Sequence, residues 1–272
     1  EAAMLYGPDF SYNKNYVDDY VARWKEIQEK YNPDMLWMDD FPIYTRDGNN
    51  VRQGKATPEV QYFDDALRGM ITSFMNHGAA RGQAVYVNNK GGQRNWPDGV
   101  GCREKDNLRL AQIGPKWQSC TTFGTSFGYL KAEDAEDYPH KKKSVREVIH
   151  EMIEVISRNG NFLINIGPRA DGTIPEWQVE RLRAMGDWLK INGAAIYGSR
   201  YWHTTGQANA HLAFTTNGKK LYAICLQQPQ PFTIEATKGW TAADVESVRL
   251  LGSNGKVEWG IDENGLRITP PL

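Results

Sequence analysis

Two acidic positions carry the chemistry this sequence could perform. Asp39, with Asp40 beside it, closes the apolar run Met35-Leu36-Trp37-Met38, and Glu104 follows a second apolar run, Ala84-Val85-Tyr86-Val87, that ends in Asn88-Asn89. Short apolar runs bounded by helical patterns read as buried parallel strands. In a (β/α) barrel the C-terminal ends of the strands form the active site, so acids at such ends are catalytic candidates. A pair of carboxyl groups suits glycoside cleavage, since a retaining enzyme needs an ionised nucleophile and a protonated acid/base about 5–5.5 Å away. Asp is equally a residue of caps and turns, and most charged side chains are simply solvated, so spacing alone leaves a structural role open for both acids.

These positions depend on the elements around them. Asn15 can N-cap a helix over 16–31, with Asp18 at its positive end and Tyr20, Trp24, Ile27 and Tyr31 as its buried stripe. After the first strand comes a polar loop, 42–57. Pro58 then opens a helix to about His77, where His77 serves the helix dipole and Gly78 closes the turn. A Gly-rich loop over 90–110 leads to a strand at 117–124, and Lys141-Lys142-Lys143 reads as a solvated stretch before the next helix. Ser144 and Glu147 form a capping box for a helix to Ile156, stopped at Asn159-Gly160. A strand at 161–168 follows, then a helix capped by Thr173 and Glu176 and ended by Gly193.

Beyond Tyr197 helical spacing gives way to short strands. Strands at 211–216 and 220–226 flank Asn217-Gly218, which suits a type I′ hairpin, and further strands are expected at 245–251, 257–259 and 266–269. The expected fold is therefore α/β: part of a (β/α)8-like, TIM-type barrel over residues 1–196, then an antiparallel β-sandwich over 197–272 that lacks its last strand.

Composition excludes several classes. The chain has 272 residues, 40% of them hydrophobic, and a formal net charge of −1, enough for a substantial core but without the basic footprint of a nucleic-acid binder. No apolar segment reaches the roughly 18 residues of a membrane span, so no membrane insertion is expected. Cys102, Cys120 and Cys225 are far apart and lack any CxxC partner, which argues against a metal site or a disulfide framework.

Several stretches together resemble the family 29 glycoside hydrolases, the α-L-fucosidases. They are Tyr31-Asn32-Pro33-Asp34-Met35-Leu36-Trp37-Met38-Asp39, Val87-Asn88-Asn89, Trp117 with Ser126-Phe127-Gly128-Tyr129, and the run from Asn159 to Pro168 followed by Asp171-Gly172. The resemblance implies that Asp39 is the nucleophile, Trp37 lines the sugar site and Glu104 is the acid/base, with no cofactor. It implies a retaining exo-glycosidase acting on fucosylated oligosaccharides or glycoconjugates, in a secreted, periplasmic or lysosomal setting. The chain departs from the family pattern at Lys90, where an Arg is common, and at Gln118, where Glu is frequent. Those departures leave a catalytically silent carbohydrate-binding relative as an alternative, and, because fold alone does not fix function, a retaining glycosidase for another sugar is a further one. The family's first barrel strands, with residues that grip fucose, would precede Glu1. A C-terminal portion is thus expected, inactive and marginally stable by itself; the oligomeric state has no signature.

Overall fold

The computed structural model describes residues 14–38, 58–90, 100–104, 116–140, 142–228 and 230–271, which divide into two compact units, 1–102 and 103–272.

In the first unit, helix α1 (Lys14–Tyr31) leads to strand β1 (Met35–Met38), helix α2 (Pro58–Ala80), strand β2 (Tyr86–Lys90) and the start of strand β3 (Val100–Glu104). The strands are parallel, with Met35 beside Tyr86 and Met38 beside Asn89, then Asn88 beside Val100 and Lys90 beside Cys102. β1–α2–β2 is thus a βαβ unit, the connection that parallel neighbours require. β3 falls inside the stretch expected to be loop, because Val100-Gly101-Cys102 is too short and too close to Gly and Pro to show a period of two.

The two helices pack through Val17 on α1 and Phe63, Leu67, Met70 and Ile71 on α2, with Tyr20 and Trp24 at the margin. Helix α1 starts one residue before the expected cap, so Asn15 lies inside it, and Asp18 accepts from Lys14 and from the Tyr62 hydroxyl (2.6 Å). Gly78 does not end α2, which runs on to Ala80. A Cβ there would lie 2.7 Å from Val85 Cγ2, so this glycine lets the helix lie close on β2. His77 is in the last turn as expected, its Nε2 2.8 Å from Asn32 Oδ1.

In the second unit, strand β4 (Trp117–Thr122) and strand β5 (Gly160–Asn165) are parallel and connected through helix α3 (Val145–Ser157); helix α4 (Glu176–Asn192) follows. The Ser144–Glu147 capping box is present. Val148, Met152 and Ile153 of α3 meet Met185 of α4 and Phe162 and Ile164 of β5 in one core. Pro175, not Thr173, occupies the N-cap of α4; Thr173 instead donates through its backbone N and Oγ1 to Asp171 Oδ1 in a local turn. Lys142 and Lys143 are only half-exposed and both are engaged. Lys142 Nζ donates to the carbonyls of Glu133 and Ala135, and Lys143 Nζ pairs with Glu151 (2.6 Å) and bonds Thr121 Oγ1.

Six strands complete this unit. β6 (Arg200–Gln207), β7 (Leu212–Asn217) and β8 (Lys220–Cys225) form one antiparallel sheet; β9 (Phe232–Ile234), β10 (Glu258–Asp262) and β11 (Gly265–Thr269) form another, with β11 central. One core cluster takes Leu212 and Phe214 from the first sheet and Ile234, Leu266 and Ile268 from the second. The expected hairpin is β7–β8, but Asn217 pairs with Lys220, so its tip is Gly218-Lys219. Only Gly218 there has a positive φ (58°), which excludes type I′. Asn217 uses its amide to donate to the carbonyls of Ala194 and Tyr197. Residues 245–251 form no strand: the chain there is irregular, and its apolar side chains Val245 and Val248 pack on the core.

Candidate active site

The two faces of β1 and β2 differ in kind. Leu36, Val85 and Val87 face the helices, gathered around Phe74 and Trp24. Period-two alternation turns Trp37 and Asn88 to the opposite face, where they are register partners. Asn88 is fully buried and Trp37 is half-buried, so polar groups occupy a face that an ordinary core would fill with aliphatic side chains. The Trp37 indole Nε1 is itself buried, and among the described residues it donates to nothing. Buried donors are normally matched, so this one stands out among the described residues.

Four positions were singled out by sequence. Trp37 stands on this inner face. Lys90 is the last residue of β2, its backbone beside Cys102, and Glu104 is the last residue of β3. Asp39 lies outside the described residues.

The carboxyl end of β4 is built differently. Gln118 is the second residue of that strand, while Ser119 and Thr121 are fully buried on it. Trp117 Nε1 donates to the Arg158 carbonyl (2.8 Å), and its ring lies where a Cβ on Gly160 would be, at 2.7 Å. The chain then turns over Glu133, a carboxylate only 2% exposed that sits under Gly124-Thr125. Its Oε1 accepts from Thr125 N and Thr125 Oγ1, both at 2.7 Å, and Tyr138 meets the same hydroxyl at 3.1 Å. Nothing in the spacing of Lys131–Asp134 marks Glu133 for burial; it looks like any acid of a polar loop.

That buried acid shapes the segment carrying Ser126-Phe127-Gly128-Tyr129. Asn165, the last residue of β5, donates to the Phe127 carbonyl (2.6 Å). A Cβ on Gly167 would strike the backbone of Gly128 and Tyr129 at 2.8 Å, so two backbones touch here. Gln178 accepts from Gly167 N (3.1 Å), and the Phe127 ring is left 37% exposed at the strand end. At the outer side Asp134 accepts from the Tyr129 hydroxyl (2.9 Å) and from Arg169 (3.0 Å). Its partial burial opposes ionisation, but these donors together hold its carboxyl below the usual range.

A parallel strand-helix-strand unit whose helix-averted face carries Trp37 and Asn88 is an α/β arrangement. Comparison with known proteins narrows that class. Residues 4–194 match the alpha-L-fucosidase family, and the chain belongs to it. Human tissue alpha-L-fucosidase is 35% identical over 251 residues, 90% of this chain and 49% of the relative. Human plasma alpha-L-fucosidase is 29% identical over 283 residues, all of this chain and 54% of the relative. A solved Thermotoga maritima alpha-fucosidase in complex with fucose superimposes with a TM-score of 0.68 at 26% identity, covering 95% of this chain and 53% of that one. The chain thus spans about half the length of the relatives it matches.

Proposed function

We propose that this chain is part of a retaining exo-acting α-L-fucosidase in which Asp39 is the nucleophile and Glu104 the acid/base, with Trp37 and Lys90 at the sugar. The observation that carries this reading is the open indole N–H of Trp37 on the helix-averted face of β1. Asp39 is two positions further on in the sequence. In this reading residues 1–196 form the later part of a (β/α) barrel and 197–272 a β-sandwich.

The reaction is a double displacement. The Asp39 carboxylate attacks the anomeric carbon of a terminal α-L-fucoside while Glu104 gives its proton to the departing oxygen, leaving a fucosyl ester on Asp39. Glu104, now ionised, takes a proton from water, whose oxygen displaces Asp39 from the anomeric carbon and releases fucose with retained configuration. Neither step calls for a cofactor. The substrates are fucosylated oligosaccharides or glycoconjugates.

The test uses the full-length protein and an aryl α-L-fucoside. Asp39→Asn is expected to lower turnover by roughly 10⁴-fold or more, the scale of losing a nucleophile. Glu104→Ala is expected to lose about 10²- to 10⁴-fold on poor leaving groups and far less on the activated aryl fucoside, since only the former need the proton. A wild-type protein that binds fucose yet releases no phenol is a silent relative, and the proposal fails.

A further inference from the structure

The second unit contains a cavity of about 360 Å³ that the proposed chemistry does not use. It opens between the ends of β6 and β8 and the start of β9, and none of Trp37, Asp39, Lys90 or Glu104 lines it. Part of its lining is a set of polar groups that hydrogen-bond one another. Gln207 Nε2 donates to the Thr233 carbonyl (3.0 Å) and to Glu235 Oε1 (3.3 Å), while the Glu235 backbone N donates back to Gln207 Oε1 (3.1 Å). Asn209 Nδ2 donates to the same Glu235 oxygen (3.0 Å). These bonds occupy one edge of each group. Among the described residues, Glu235 Oε2 and Asn209 Oδ1 accept from no other residue, and both side chains line the cavity.

The rim adds the carboxamides of Gln227, Gln228 and Gln230, each able to donate and accept, and none engaged by another residue among those described. Phe232 supplies one aromatic wall. The backbone beneath is pinned, because Leu226 N donates to the His211 carbonyl (2.9 Å).

The chemistry of this lining selects its ligand. Neither Lys nor Arg is present, and the single full charge is the Glu235 carboxylate, so phosphates, sulfates and sugar acids have no counter-charge and meet repulsion. Converging amides and one carboxylate beside an aromatic ring match adjacent hydroxyls, which each donate and accept. The volume lies at the lower end of small-molecule sites, the size of one or two pyranose rings. We propose that this cavity is a binding site for a neutral saccharide, holding a glycan by its unfucosylated part without taking part in hydrolysis.

The test is ligand-observed NMR on the wild-type protein with lactose and N-acetyllactosamine, which carry no fucose and cannot be substrates, and with sialyllactose as the anionic control. The neutral disaccharides are expected to bind at about millimolar Kd, and sialyllactose several-fold more weakly. The double substitution Gln228→Ala/Gln230→Ala removes only exposed rim groups; it should weaken lactose binding about tenfold, the scale of lost polar contacts. Its thermal midpoint and fucoside turnover should stay at wild-type values. Glu235→Gln should narrow the gap between sialyllactose and lactose. Absence of binding by both neutral disaccharides, or equal binding in the rim variant, overturns the proposal. Either result leaves the assignment of Asp39 and Glu104 untouched, since no residue is shared.

Discussion

Glu133 and Trp37 each bury a polar group, one in each unit, yet the Glu133 carboxylate is met by a backbone N–H and a hydroxyl while the Trp37 indole N–H is met by nothing among the described residues. The satisfied group is scaffold: its energy is already spent on holding a loop. The open one is, in the function proposed above, the group that meets the sugar. Leaving a buried donor unmatched costs about 1–3 kcal/mol, a cost a fold tolerates where the missing partner is a ligand.

Substitutions can break this contrast, beginning with the largest expected effect. Glu133→Ala strands the Thr125 donors and opens a void, and should lower unfolding free energy by about 3 kcal/mol in urea titration. Glu133→Gln, which keeps an acceptor oxygen, should recover more than half; equal losses would mean that the charge, not the hydrogen bonds, holds the loop. Gly160→Ala drives a methyl into Val155 and Trp117, and about 2 kcal/mol of overpacking is expected by the same measurement. Ser144→Ala removes the capping box of α3 and should cost about 1 kcal/mol.

A pH scan probes Asp134. Its folded pKa lies below the ordinary 3.8, so its contribution is present above the unfolded value and is lost as pH falls through the folded one. Asp134→Asn should therefore flatten the acid limb of the thermal midpoint against pH and leave the neutral region nearly level. The smallest stability effect belongs to Trp37→Phe, no more than about 1 kcal/mol, because the deleted N–H has no partner to abandon among the described residues. Fucose affinity in the full-length protein should nevertheless drop about tenfold. A large loss of stability with unchanged affinity would mean that Trp37 is scaffold after all.

Much of this arrangement is legible in the sequence where one physical signal dominates. The capping box at Ser144 and Glu147, the apolar runs of β1 and β2 and the β7–β8 hairpin each rest on local chemistry, and the structure contains them. The burial of Glu133 and the anchoring of Lys142 and Lys143 were not legible, since they arise from contacts between segments that a polar local sequence does not disclose. Gly78 shows the same limit. A glycine near a helix end reads as a stop, whereas here it is a point of close approach to Val85. The family resemblance marked Trp37, but only the structure shows that it shares a helix-averted face with Asn88.

The contact between Gly128 and Gly167 has a consequence for engineering. Because the two backbones meet with no side chain between them, neither the segment after β4 nor the segment after β5 can be exchanged for a longer or bulkier one alone. Loops transplanted from a relative would have to travel as a pair, with Asn165 and Gln178 as their anchors. Amide hydrogen exchange should report the same coupling, Gly167 and its neighbours across the contact opening as one cooperative piece instead of fraying separately.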